Sequence, residues 1–176
     1  MSATETQGTT GTTYLLAREE GVNDVWWPYV PGPRAGRHTN KVLGEQTDGR
    51  LFQMLVTYPR GAAPPLHIHH DADETFFVLD GEVAIFVGDQ RYECTAGDFV
   101  LGPRGVAHTF IVRSEWAELL ASFSPAGIEG LFAAMAPAVL AGEAAPTPSM
   151  PDQDEFVRLM AKHECEFVGP PPTLDD

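Results

Sequence analysis

Positive charge, cysteine and long apolar runs are all scarce in this chain, and each scarcity removes a class of function. Only 11 Lys and Arg stand against 25 Asp and Glu, giving a formal net charge of -14 and an isoelectric point near 4.6. A phosphate backbone is bound by clustered Lys and Arg, so nucleic acid is excluded as a partner, and an anionic membrane surface would repel the chain. There is no run of about eighteen apolar residues, and Met1 to Tyr14 is Thr-rich with neither a basic start nor an apolar stretch, so no membrane span or secretory signal is expected. A cytoplasmic protein is the expectation. The two cysteines, Cys94 and Cys165, fit neither a CxxC pair nor a zinc-finger spacing and are expected to be buried free thiols. At 176 residues one domain can bury its own core without a disulfide.

What is present is a succession of short strands and turns. Leu51 to Tyr58 alternates Phe52, Met54, Val56 and Tyr58 with Leu51, Gln53, Leu55 and Thr57, while Asp80-Gly81 and Gly88-Asp89 are turn dipeptides bounding Glu82 to Val87. Thr75 to Leu79 is apolar on both faces, so one face lines an interior and the other is covered by a second layer. An all-β jelly-roll barrel over residues 39–126 satisfies both demands. Residues 1–13 are expected as a disordered tail. Residues 14–38 form an arm whose Leu15, Leu16, Val22, Val25, Trp26 and Trp27 need cover from the barrel or from a second subunit, and Pro31-Gly32-Pro33 breaks it. Residues 127–176 read as a helical extension of two short helices. In the first, Ile128, Leu131, Phe132, Met135, Val139 and Leu140 recur at helical spacing with Pro137 as a kink. A Pro-rich linker at 144–151 leads to Asp152 and Glu155, spaced as a capping box, ahead of a face of Phe156, Leu159, Met160 and His163.

Four residues carry the chemistry. His67 and His69 lie two apart on an extended stretch, which aims both imidazoles at one face. Glu74 lies an odd number of residues beyond His69, but the turn-like His70 to Asp73 resets the register and lets its carboxylate join them beside Phe76 and Val78. His108 follows a Pro103-Arg104-Gly105 turn at the start of a later strand. Strand alternation points His70 away.

These segments resemble the two motifs of the cupin family, Gly-x5-His-x-His-x4-Glu-x6-Gly and Gly-x5-Pro-x-Gly-x2-His-x3-Asn. Gly61, His67, His69, Glu74 and Gly81 meet the first, and Gly97, Pro103, Gly105 and His108 meet the second, with Val112 standing where the family has Asn. At roughly 5% background per position, an accidental match is far rarer than about one in a million. The resemblance implies a double-stranded β-helix and one divalent transition metal (Mn, Fe, Ni, Co, Cu or Zn) held by His67, His69, Glu74 and His108. In an octahedral ion those ligands leave positions open for substrate or molecular oxygen. Each ligand imidazole should be neutral, its second nitrogen bonded to a carbonyl or carboxylate. Because Asn is not a ligand in the family, Val112 leaves the site intact.

The His-Ile-His-His run and the following Asp-Glu-Thr-Phe-Phe-Val-Leu-Asp-Gly-Glu are similar to small bacterial cupins described as quercetin 2,3-dioxygenase-like. That resemblance implies a metal-dependent dioxygenase acting on a flavonol-like or enolisable small molecule, with Glu74 accepting the substrate's hydroxyl proton as the catalytic group. The alternatives are an oxygen-independent cyclase or isomerase of the polyketide-cyclase type, and a cupin that only holds a metal or small ligand. A homodimer is expected, because the arm and a sheet face carrying Phe77 and Leu79 need cover. Tyr58, Phe52, Met54, Phe76, Phe86, Phe110 and Phe123 include some pocket-lining residues on this reading, most strand aromatics being plain core. Arg37, His38 and Lys41 read as solvated loop residues near its entrance, and His163 as a packed or surface histidine.

Overall fold

In the computed structural model, which describes residues 6–7, 12–26, 37–135 and 152–176, the alternating and turn-bounded segments form two antiparallel sheets. The strands are β1 (Thr6–Gln7), β2 (Thr12–Thr13), β3 (Asn23–Trp26), β4 (Arg37–Val42), β5 (Phe52–Pro59), β6 (Leu66–His69) and β7 (Asp73–Asp80). There follow β8 (Glu82–Val87), β9 (Gln90–Thr95), β10 (Phe99–Gly102), β11 (His108–Val112) and β12 (Trp116–Ser124). Helices α1 (Glu129–Met135) and α2 (Gln153–Lys162) come next, and the chain ends in β13 (Cys165–Gly169). One sheet has the order β10-β7-β12-β5-β4-β3 and the other β13-β6-β11-β8-β9, while β1 and β2 pair with each other inside the expected tail.

Period-two alternation decides what lies between the sheets. On β7, Glu74, Phe76 and Val78 are buried inward and Phe77 on the opposite face is 36% exposed, so the second apolar face has only partial cover within one chain. Phe52 and Phe123 stack at 5.6 Å between ring centres, and Val83, Ile85, Val112 and Leu119 are fully buried around them. Val112, at the position where the family motif has Asn, is therefore a core side chain. The hairpin from β7 to β8 turns at Gly81, whose φ of 84° and closeness to the Trp116 carbonyl leave no room for a side chain.

The described part of the arm lies on its own barrel. β3 extends the six-stranded sheet through β4, Tyr14 donates to the Lys41 carbonyl at 2.7 Å, and Arg18 pairs with Glu118 on the sheet's outer face. Trp27, the Pro31-Gly32-Pro33 break, Pro137 and the linker 144–151 lie outside the described residues.

After the barrel, Asp152 caps α2 by accepting the Glu155 N–H at 2.8 Å, as its spacing predicts. His163 joins the two helices, its Nδ1 donating to the Gly127 carbonyl at 3.0 Å while the ring packs against Gly130. The extension is not wholly helical, however: β13 adds a strand to the edge of β6, pairing Cys165 with His69 and Phe167 with His67. Five residues are too few for periodicity to separate a strand from a helix end, and the pairing partner lies far back in the chain.

Candidate metal centre

Strand pairing brings four side chains from two sheets to one point. His67 and His69 share the inner face of β6, and His108 opens β11 directly opposite His67. Glu74 comes from the other sheet, paired with Gly102 of β10 and Phe123 of β12. The turn between β6 and β7 resets the register, so the carboxylate faces the imidazoles. His70 leaves on the outer face, where Nε2 bonds Glu166 at 3.0 Å. The Pro103-Arg104-Gly105 turn is clamped on to the same segment. Gly105 N–H donates to the His69 carbonyl at 2.7 Å, and Arg104 donates to the Asp73 carboxylate from its backbone at 2.9 Å and its guanidinium at 2.8 and 3.1 Å. That clamp involves a residue, Arg104, which its spacing alone does not single out.

Glu74 Oε2 lies 2.9 Å from His108 Nε2, 3.2 Å from His69 Nε2 and 3.9 Å from His67 Nε2. The four candidate ligand atoms all fall within 4.8 Å of one another, and His108, His69 and Glu74 are 0%, 3% and 5% exposed. Behind the rings, His67 Nδ1 and His108 Nδ1 donate to the carbonyls of Pro65 and Val106, both at 2.8 Å, while His69 Nδ1 is buried with no hydrogen-bond partner among the described residues. A neutral imidazole protonated at Nδ1 has only a lone pair at Nε2. At His108 that lone pair faces a carboxylate oxygen, and two acceptors at 2.9 Å repel unless positive charge lies between them.

The titration tendencies express the same conflict. Burial pushes Glu74 toward its neutral form, yet the surrounding imidazoles outweigh it and hold the carboxyl well below the usual range. Burial opposes charge on His108, but the hydrogen bond and charge of Glu74 raise it, whereas at His67 burial prevails and lowers it. Three nitrogen donors and one carboxylate around a point that calls for positive charge fit a divalent transition ion.

A family model described as a cupin domain matches residues 54–123, from β5 into β12, and so contains all four of these side chains. That segment is a cupin domain. The quercetin 2,3-dioxygenase of Bacillus subtilis is 30% identical over 109 residues, which cover 61% of this cupin and 30% of that protein. An uncharacterized protein of Streptomyces coelicolor is 43% identical over 56 residues, covering 32% of this cupin and 53% of the relative. This cupin thus spans between 30% and 60% of the length of the curated relatives it matches. A solved structure described as a predicted oxalate decarboxylase from Thermotoga maritima is similar with a TM-score of 0.49 and 20% identity, over 51% of this chain and 79% of that one.

In this cupin a cavity of about 590 Å³ opens over the cluster, and most of its wall is apolar. The expected helical extension supplies much of that wall: Leu131 and Phe132 from α1, Phe156 and Met160 from α2, Cys165 and Phe167 from β13. Burial pushes the Cys165 thiol up to about 12, so it stands there as a protonated, weakly polar group, and both cysteines are free and buried as expected. His38 differs from its reading as a solvated residue. It is 1% exposed, lines the cavity from β4, and its Nε2 lies 2.6 Å from the Tyr58 hydroxyl on β5. The reason is pairing: His38 stands opposite Val56, and strand alternation turns it inward with Tyr58. Burial lowers His38 to about 3, and burial together with the charge of Glu74 raises Tyr58 far above the phenol range, so the pair is neutral.

Proposed function

We propose that this cupin is a metal-dependent dioxygenase acting on a flavonol-like or otherwise enolisable small aromatic or polyketide molecule. The observation that carries the reading is the His67-His69-Glu74-His108 cluster beside a mostly apolar cavity that His67, His69 and Glu74 line. The similarity to a protein named quercetin 2,3-dioxygenase supports the choice of substrate class. A divalent ion held by the four residues would supply Lewis acidity to an enol oxygen and a meeting point with molecular oxygen.

The chain's own residues do the rest. Phe110, Phe123 and Phe132 hold a planar substrate and keep bulk water from the cluster. Glu74, whose carboxylate lines the cavity, takes the substrate's hydroxyl proton. The backbone bonds from Pro65 and Val106 keep two rings from turning as charge moves.

Oxygen uptake by protein reconstituted with Mn, Fe, Co, Ni, Cu or Zn, offered a panel of flavonols and 1,3-diketones, tests the reading. Uptake with a ring-opened product supports it, and no uptake with any metal overturns it. Turnover without oxygen would favour cyclisation or isomerisation at the same cluster, and tight binding without product a holding role. We place the protein in the cytoplasm as a homodimer: buried free thiols suit a reducing compartment, and Phe77, Phe99 and Leu101 leave an apolar patch exposed on the outer face of the six-stranded sheet.

A further inference from the structure

Besides the exposed Arg60, the described cavity lining has two polar stations, and the cluster is only one of them. From His38, ring contacts run through Phe132 at 5.1 Å and Phe123 at 6.5 Å to His69 at 5.4 Å between centres. From Tyr58 they run through Phe110 at 5.6 Å and Phe76 at 6.1 Å to His108 at 6.0 Å. Two aromatic rings link the His38-Tyr58 pair to the metal-type cluster along either path.

A polar pair in such a wall calls for a reason. Buried polar groups cost free energy unless hydrogen bonded, and an apolar pair would fill the same space without that cost. A phenol can donate one hydrogen bond and accept two, and the bond recorded for Tyr58 is the one with His38. If Tyr58 donates to His38, its oxygen keeps a lone pair for a ligand. If His38 donates instead, the phenol keeps its O–H. A ligand group that both donates and accepts is served in either arrangement, and on a flavonol-like substrate that group is a hydroxyl.

We propose that Tyr58, oriented by His38, is the second anchor of the binding cavity and takes a hydroxyl at the end of the substrate remote from the metal-binding cluster. This rests on the reading of the substrate as flavonol-like and narrows it to molecules carrying an oxygen at both ends of a flat apolar body. Tyr58 touches the ligand, and His38 is a positioning residue.

Calorimetric titration of the zinc-loaded protein under nitrogen with 3-hydroxyflavone and 3,4'-dihydroxyflavone tests it, because the two differ only in the remote hydroxyl. The dihydroxy compound should bind about tenfold more tightly to the wild type, the worth of one hydrogen bond in a closed site. In Tyr58→Phe the ratio should fall to about one. His38→Leu should lose the preference as well, whereas His38→Gln, which still offers the phenol a hydrogen-bonding group, should keep it. Where circular dichroism shows Tyr58→Phe unfolded, the two His38 variants decide. Equal affinities in the wild type, a ratio that survives Tyr58→Phe, or no binding of either compound overturns the proposal. Oxygen uptake is not the readout, so a Tyr58-dependent ratio without uptake overturns the dioxygenase and leaves the anchor standing, and uptake with an unchanged ratio does the opposite.

Discussion

Cys165 stands directly opposite His69 in the antiparallel pairing of β13 with β6. The strand bearing two of the candidate ligands thus takes one edge from the far end of the chain. A chain truncated after His163 should lose that edge and the wall formed by Phe167. Metal affinity should fall about tenfold or more, the usual scale for removing support behind ligands. Competition with a chromophoric chelator measures it.

Glu74 is the one anion within the cluster, so its charge should decide whether an ion stays. Glu74→Gln keeps the shape and removes the charge, and His108→Ala removes the ring that contacts it at 2.9 Å. Both should weaken metal binding at least about a hundredfold, more than loss of a supporting residue does. Elemental analysis after gel filtration should show about one ion per wild-type chain and almost none in either variant.

Arg104 holds the turn before His108 against the segment between His69 and Glu74. Its bonds hold the Asp73 carboxyl down at about 2, so the clamp is ionised at any ordinary pH. Both side chains are solvent-accessible, so Arg104→Ala should leave the melting temperature nearly unchanged. It should speed metal loss, because His108 would no longer be held in register with His69. Stopped-flow chelation separates the two effects.

His38 should make the fold sensitive to acid. An unfolded histidine takes up its proton near 6.5, but the buried ring does so only near 3. Between those values the unfolded chain binds more protons, so this contribution to stability is whole above about pH 6.5 and is lost as the pH falls toward 3. In His38→Phe the decline across that window should be shallower by up to about one bound proton. Urea unfolding at a series of pH values measures the slope.

Phe99 is 60% exposed and lies beside Phe77 on the outer face of the six-stranded sheet. If this face joins two copies, Phe99→Glu should convert a dimer to a monomer in light scattering without changing metal content. A wild-type monomer would remove the homodimer from the proposal.

Much of the cluster could be read from local rules. Period-two alternation puts His67 and His69 on one face, a short turn re-registers Glu74, and a Pro-x-Gly turn delivers His108 to a strand start; each step involves only residues near in the chain. His38 shows where such rules stop. A histidine among arginine and lysine just after a Pro-Gly-Pro breaker reads as solvated, and its burial depends on β4 pairing with β5 and on α1 closing over it. Arg104 is similar: its partner Asp73 lies on another strand, and no spacing links them.

By itself, then, the sequence determined the all-β architecture and the turns, because backbone alternation and turn chemistry act over a few residues, and its resemblance to the cupin motifs singled out the four side chains. Only the tertiary structure decided that the last strand would edge β6, that the C-terminal helices would wall the cavity, and that His38 would meet Tyr58. Those contacts join segments far apart in the chain, and they exist through the packing of one sheet against another rather than through any local conformational preference.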